Sequence, residues 1–451
     1  MKIGAIVLAA GKGTRMNSKY PKVLHKILNK PILGYVTDAV KELTDKKPIV
    51  VIGHGGEYIQ EYFEDTYLYR TQDQQLGTGD AVKAGMDALE DEEAVLVLCG
   101  DAPMITAETL RTMIEQYIKD EAKAVVLSAD IEDSKGYGRI IRINDGPFER
   151  IVEEKDATEI EKLIKEVNSG TYIFDRVLLE EALNGLTNNN SQGEYYLTDV
   201  LEMFKKQGQR VEVCKANDNK VILGINNRVQ LEEATLLIKR RINEKHMMAG
   251  VTFEDSASTY ISSDVIFGED VVIGPNVSIT GNTTIGDDVV IGPNSIIKDS
   301  KIGKGTTILS SIILNSELGE NCIIGPFAYL RPDNVLGDKV KVGDFVELKK
   351  TKVGDGSKIP HHSYIGDALV GEKVNIGAGT ITCNYDGEHK YQTIIEDGAF
   401  IGSNSNLVAP VTIGKEAYVG AGSTITKDVP KRALAIGRSK QINKDNWKKK
   451  N

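Results

Sequence analysis

Residues 265–300 read VIFGEDVVIGPNVSITGNTTIGDDVVIGPNSIIKDS, and within them Phe267, Ile273, Ile279, Ile285, Ile291 and Ile297 recur at every sixth position, several followed by glycine. Ile261 extends the series upstream. After a slip of register it resumes at Ile302-Gly303 and Ile308, then runs through Ile324-Gly325, Leu330, Leu336-Gly337, Val342-Gly343 and Leu348. Val353-Gly354, Ile359 and Ile365-Gly366 carry it on, and a last run covers Ile395, Ile401-Gly402, Leu407, Ile413-Gly414, Val419 and Ile425. An amphipathic helix repeats near 3.6 residues and a half-buried strand near 2, so neither produces this spacing. A six-residue period is the signature of a parallel β-helix. Each unit supplies a short strand and a turn, the aliphatic residue points into the coil, and glycine is expected to accommodate the turn. Between Thr382 and Ile395 the register breaks, so Thr382-Cys383-Asn384-Tyr385-Asp386-Gly387 should begin an excursion from the coil. Such excursions are where function is to be sought, because a solenoid by itself can be merely a scaffold.

Upstream the pattern differs. Short apolar runs at Ile3–Ala9, Ile49–Gly53, Ala94–Cys99 and Ala124–Ala129 alternate with helical spacing such as Ala107–Asp120. That alternation predicts an open, mostly parallel sheet of Rossmann-like α/β type, its strands buried on both faces. Leu231, Ala234, Leu237, Ile238 and Ile242 then repeat near 3.6 and predict one connecting helix. The expected organisation is therefore an α/β domain over 1–228, a helical linker over 229–250 and a β-helix over 251–451 that ends in a basic, solvated tail.

A chain of 451 residues is too long for one ordinary core. Its net charge of -10 argues against general affinity for nucleic acid or acidic membranes, so any phosphate site must be a local cluster of cations and N–H groups. Cys99, Cys214, Cys322 and Cys383 lie far apart without metal-ligand spacing, which fits reduced thiols in a cytoplasmic protein. No apolar run reaches membrane-spanning length, and the N-terminal one is broken at once by Gly11-Lys12-Gly13.

Leu8-Ala9-Ala10-Gly11-Lys12-Gly13-Thr14-Arg15 follows the first expected strand directly. Glycines can turn the backbone and present N–H groups, and Lys12 and Arg15 add positive charge, which suits a phosphate cradle. The stretch is neither a Walker A loop nor the dinucleotide fingerprint, since Met16 stands where the third glycine would be. Further stretches accompany it: Tyr20-Pro21-Lys22, Gln72-Asp73-Gln74-Gln75-Leu76-Gly77-Thr78-Gly79, Cys99-Gly100-Asp101, Gly136-Tyr137-Gly138-Arg139, Glu153-Glu154-Lys155-Asp156, Asn168-Ser169-Gly170 and Gly224-Ile225-Asn226-Asn227. In the β-helix half stand Arg331-Pro332, Glu347-Leu348-Lys349-Lys350, His361-His362-Ser363-Tyr364, the Asn375–Gly387 stretch, Gly402-Ser403 and Val408-Ala409-Pro410.

In order and spacing, nearly the whole chain resembles the bifunctional N-acetylglucosamine-1-phosphate uridylyltransferase / glucosamine-1-phosphate N-acetyltransferase family. The resemblance implies acetyl transfer from acetyl-CoA to glucosamine 1-phosphate in the C-terminal domain. Uridylyl transfer from UTP, with release of pyrophosphate, then follows in the N-terminal domain. The UDP-N-acetylglucosamine formed would feed peptidoglycan, lipopolysaccharide or teichoic acid precursors. By resemblance, Leu8, Ala9, Ala10 and Gly11 bind the nucleotide, and Arg15 and Lys22 steady its triphosphate. Gln72, Gln75, Gly77 and Thr78 read the uracil. Gly138, Glu153 and Asn168 contact the N-acetylglucosamine moiety, and Asp101 and Asn226 hold Mg²⁺ with substrate phosphate and water. Read without the family, Asp101 could equally be a turn residue or a helix cap.

For the acetyltransferase the resemblance makes His361 the base, with Glu347 near enough to orient it. Arg331, Lys349, Tyr364, Asn375 and Lys390 would bind glucosamine 1-phosphate, and Ala378, Asn384, Tyr385, Ser403, Ala421 and Arg438 the acetyl-CoA side. From the residues alone, His362 is as good a candidate for the base as His361. Cys383 lacks a base partner and reads as packing, and His25 and His54 are given no chemistry. The resemblance also implies a left-handed coil and a homotrimer with sites between subunits. Two rival readings are a nucleotidylyltransferase of other specificity on a silent β-helix, and a non-enzymatic assembly module. His361 with Asn375–Gly387 argues against the first. Retention of Lys22, Asp101 and Asn226 argues against the second.

Overall fold

The computed structural model describes residues 1–445 and 447, so most of the expected basic tail (446 and 448–451) lies outside the described residues. The chain divides into two compact units, Met1–Ile238 and from Lys239 onward. A single helix, Arg228–Met248, runs through the division.

In the first unit the sheet order is Val211–Lys215, Ala124–Asp130, Glu166–Asp175, Ala94–Cys99, Ile3–Ala9, Ile49–Ile52 and Leu68–Thr71. All neighbours are parallel except Glu166–Asp175, which runs antiparallel to both of its own. A hairpin of Arg139–Arg142 and Phe148–Val152 joins that strand through Val167. Alternation along Ile3–Ala9 serves two apolar layers. Ala5, Val7 and Ala9 meet Leu33 and Val36 of helix Ile32–Lys41 and Leu110 and Met113 of helix Ala107–Lys119. Ile6 packs on the other face, in the layer of Val82 from helix Thr78–Met86 and Leu201 and Phe204 from helix Thr198–Lys206. Helix Ala107–Lys119 begins where Thr106 Oγ1 accepts from the Thr109 N–H at 3.2 Å. After Ile3–Ala9 the chain builds two strands to one side and then crosses to Ala94–Cys99 on the other. The strand order therefore reverses beside Ala9, the place where open α/β sheets bind ligands.

The second unit is a left-handed parallel β-helix of three sheets, with 11, 10 and 9 strands. The strand series beginning at Thr252–Phe253, Tyr260–Ile261 and Ile266–Phe267 form the first, second and third faces. The hexapeptide residues form one column, with Ile273, Ile279, Ile291, Ile297, Ile308, Ile324, Leu330 and Ile365 at most 1% exposed. Ile313 and Leu318 fill the places between Ile308 and Ile324, where two sides are five residues long instead of six. The glycines work differently from the expectation. Most of those behind a core residue have ordinary φ, and the left-handed turn falls two places later on Asp or Asn, as at Asp270, Asn276, Asp288 and Asn294. Glycine is required there because coils stack closely: a Cβ on Gly303 would lie 2.4 Å from the Gly319 carbonyl oxygen. At another corner, aspartates bind each coil to the one before. Asp338 accepts from Glu320 N–H at 2.8 Å and Asp355 from Asp338 N–H at 2.9 Å. The expected excursion leaves the coil between Ile381–Cys383 and Thr393–Ile395 and folds back at a Tyr385–Lys390 bridge.

Ile296 and Ile297 are adjacent in one strand, 42% and 0% exposed. Ile297→Ala is expected to cost about 2–5 kcal/mol in urea unfolding of this unit, and Ile296→Ala no more than about 0.5 kcal/mol.

Candidate active sites

The parallel pairing of Ile3–Ala9 with Ala94–Cys99 sets their following loops side by side, and a cleft of about 240 Å³ opens there. Leu8, Ala9, Ala10, Gly11, Lys22, Gln72, Gln75, Gly77, Thr78 and Asp101 all line it. Nothing stands within 4 Å of where a Gly11 Cβ would be, so the loop backbone faces open space. Gly77, at φ +126°, has no room for a side chain: a Cβ would lie 2.5 Å from the Tyr195 carbonyl oxygen. Tyr195 pins this turn from both sides, donating to Leu76 O at 2.7 Å and accepting from Gly79 N–H at 2.8 Å. Gln72 Nε2 donates to Gly77 O at 3.0 Å and Asp80 Oδ2 at 2.8 Å, and Gln75 Nε2 donates to Ala10 O at 3.0 Å. Both amides are thus held in fixed orientation.

Gly138, Glu153 and Asn168 are not among the residues lining that cleft but form a group of their own: Asn168 N–H donates to Gly138 O at 2.9 Å, and a Gly138 Cβ would lie 3.5 Å from Glu153 Oε1. Cys99 Sγ, 3.6 Å from Gly170 O, joins this group to Asp101. Burial pushes the Cys99 thiol up to about 12, so it is protonated and serves as wall. Arg15 and Asn226 join the site through Lys22. The Lys22 ammonium pairs with Asp101 Oδ2 and donates to Asn226 Oδ1 at 3.1 Å, and an Arg15 guanidinium nitrogen donates to the same oxygen at 2.9 Å. Two oxygens therefore converge on one cationic point, as a hard divalent ion requires. Among the described residues no group of three or more His, Cys, Asp or Glu could hold a metal. The rest of a coordination shell there would come from phosphate and water.

In the β-helix, Asp344, His361, Ala378, Ser403 and Ala421 occupy the corner between the first and second faces on successive coils. Backbone bonds link that corner upward: His362 N–H to Asp344 O at 2.8 Å, Gly379 N–H to His362 O at 2.9 Å, Asn404 N–H to Ala378 O at 2.7 Å and Gly422 N–H to Ser403 O at 2.8 Å. Arg438 ends the column, its Cδ 3.9 Å from where a Gly422 Cβ would stand. On the second face, Glu347 and Tyr364 stack in register. At that face's far end, Lys349 and Lys390 bring two ammonium groups together, and the Lys390 group is held below the usual lysine range by its Lys349 neighbour. Asp367, 3.8 Å from Lys349 Nζ, accepts from Asn384 Nδ2. Tyr385 stands on the excursion, 59% exposed.

One expectation fails within the chain. Glu347 does not orient His361: it faces outward on the second face and binds an Arg331 guanidinium nitrogen at 3.0 Å. Asn375 lies on the first face, in register with Lys358 and Phe400, away from Lys349 and Tyr364. Sequence reading also missed Tyr195, Asp80 and Asp344. The first is clamped to residues more than 110 positions away and leaves no local signal. Asp344 was legible in principle, because a coil here is 17 residues long and 361 stands one coil after 344.

Residues 5–171 match the MobA-like NTP transferase domain, and 264–299 and 392–427 the bacterial transferase hexapeptide (six repeats). The chain is 53% identical over 444 residues to the bifunctional protein GlmU of Heliobacterium modesticaldum, covering 98% of this chain and 97% of that one. It is 50% identical over 446 residues to the bifunctional protein GlmU of Bacillus subtilis, covering 99% and 98%. The chain belongs to the GlmU family. It is a bifunctional enzyme, with a uridylyltransferase in its N-terminal unit and an acetyltransferase in its hexapeptide unit, and together they synthesise UDP-N-acetylglucosamine. The GlmU nucleotidyltransferase uses a divalent metal, which the Asp101 and Asn226 oxygens fit. A solved structure of UDP-glucose pyrophosphorylase complexed with UDP-glucose is more remote, at 20% identity and TM-score 0.45 over 53% of this chain and 100% of its own. Among the described residues no helix is long and apolar enough to cross a membrane.

Burial also pushes the Glu153 carboxyl above its usual range. The folded chain then holds that proton more tightly than the unfolded one, so stability falls as pH rises from the ordinary carboxylate range through the raised value. Glu153→Gln should melt higher than the parent at pH 7.5, and the difference should close near pH 4.

Proposed function

We propose the following division of labour among the residues. On the acetyltransferase side, glucosamine 1-phosphate lies across the second face, with its phosphate between Arg331, Lys349 and Lys390. The juxtaposed Lys349 and Lys390 carry this reading, because two like charges held together are relieved by an anion. Tyr364 forms the floor beneath the sugar, which directs the amine toward His361. The amine nitrogen attacks the thioester carbon, the C–S bond breaks, and the amine's proton passes to His361 and from it to the departing thiolate. Acetyl-CoA lies along Ala378, Ser403 and Ala421, the corner above His361, with Asn384, Tyr385 and Arg438 as further contacts.

We place this site between copies of a homotrimer. Asn375 is one face away from Tyr364 in its own chain and would serve a neighbour. Phe327 and Phe345 support the same reading, with stacked rings that are 59% and 61% exposed. Dependence on UTP and acetyl-CoA, together with four free cysteines, supports a cytoplasmic location.

In the N-terminal cleft, Gln72 and Gln75 present amide groups to the uracil, and the open backbone at Gly11 receives the phosphates. Arg15 and Lys22 neutralise the triphosphate and align its α-phosphorus with the phosphate of N-acetylglucosamine 1-phosphate, whose sugar rests on Gly138, Glu153 and Asn168. Attack in line then expels pyrophosphate. Mg²⁺ held by Asp101, Asn226 and substrate phosphate would supply neutralisation of the charge developing on the phosphates.

Purified protein supplied with glucosamine 1-phosphate, acetyl-CoA, UTP and Mg²⁺ should release CoA and pyrophosphate. His361→Ala should lower CoA release by roughly 10²–10⁴-fold and recover pyrophosphate release when N-acetylglucosamine 1-phosphate is added. Asp101→Ala should lower pyrophosphate release alone, by about 100-fold or more. Pyrophosphate without CoA under every condition would remove the acetyltransferase assignments.

A further inference from the structure

We propose that Asp344 is the positioning residue for His361, an assignment that rests on the reading of His361 as the acetyl-transfer base. The two are in register on adjacent coils, and Asp344 Oδ1 lies 2.6 Å from His361 Nδ1. An ionised carboxylate only accepts, so it holds the proton on Nδ1 and leaves the Nε2 lone pair to take the amine's proton. The imidazolium formed at that moment keeps its charge against the same carboxylate. Glu347 is instead in register with Tyr364 on the second face and binds Arg331.

The backbone at these two coils departs from most of the corner. At most coils of this corner the left-handed position is held by residues that tolerate it, such as Asn276, Asn294, Gly379, Asn404 and Gly422, although Phe327 takes it at φ +58° on the coil before Phe345. After Asp344 and His361 it is held by Phe345 at φ +54° and His362 at φ +43°, both of which pay a steric cost there. Strain of this kind persists where the surrounding structure imposes it, and it concentrates at functional sites. The coils also lie close together here, for a Cβ on Gly343 would lie 1.8 Å from the Pro360 carbonyl oxygen. That approach sets Asp344 directly beneath His361. The Asp344 carboxyl is held below its usual range, chiefly by the hydrogen bond from His361.

The test uses the full chain as Asp344→Asn, Asp344→Ala, His361→Ala and the Asp344→Ala/His361→Ala double variant. Asp344→Asn and Asp344→Ala should lower kcat for CoA release about 10–100-fold. The KM values for glucosamine 1-phosphate and acetyl-CoA, the thermal midpoint and pyrophosphate release should not change. In the His361→Ala background, Asp344→Ala should cause no further loss, since Asp344 acts only through the imidazole. An unchanged kcat in Asp344→Asn, or a full additional loss in the double variant, would overturn the proposal. Undiminished CoA release by His361→Ala alone would overturn the base assignment beneath it.

Discussion

The parallel hydrogen-bonded ladder, with strands about 4.8 Å apart, is the constraint on which both halves of this enzyme depend. In the N-terminal unit it pairs Leu8 with Cys99 and so delivers the loop after Ala9 and the turn at Asp101 to the same cleft. In the β-helix it sets each residue over another 16 to 18 positions away along most of the coil, which makes one apolar column inside and straight rows of functional side chains outside. The glycines, the corner aspartates and the placement of Asp344 beneath His361 all follow from that spacing.

Each site combines this rigid delivery with a local cluster of positive charge. The chain is acidic overall, yet Arg15 and Lys22 meet at Asn226, and Lys349 and Lys390 stand side by side. Such arrangements are local, short-ranged and held by backbone geometry, and they make phosphate binding compatible with a net charge of -10. Burial keeps the Cys99 thiol from ionising.

A coil that only needed to be a spacer would repeat without exception. This one departs from its own rule where the residues proposed for acetyl transfer gather. Aromatic and histidine side chains take up left-handed corners at Phe327, Phe345 and His362, proline replaces glycine at Pro360, and the chain leaves the coil after Cys383. Repetition therefore encodes the scaffold, and its interruptions locate the chemistry.

By itself the sequence determined the β-helix, because a six-residue period has one structural explanation, and the α/β unit down to the ends of Ile3–Ala9 and Ala94–Cys99. The resemblance carried by its motifs also singled out residues that line one cleft, from Leu8 to Gly11 and at Gln72, Gln75, Gly77, Thr78 and Asp101. Tertiary structure alone decided the rest. Glu347 and Asp344 are both carboxylates close before His361, and the family resemblance pointed to the former. Which of them touches the imidazole depends on the face each occupies, and therefore on how many residues each side of the coil contains. Tyr195 at the Gly77 turn and Asn375 on the first face were likewise decided there. Side-chain type and period are local properties of a chain, whereas contact between two side chains depends on the path of everything folded between them.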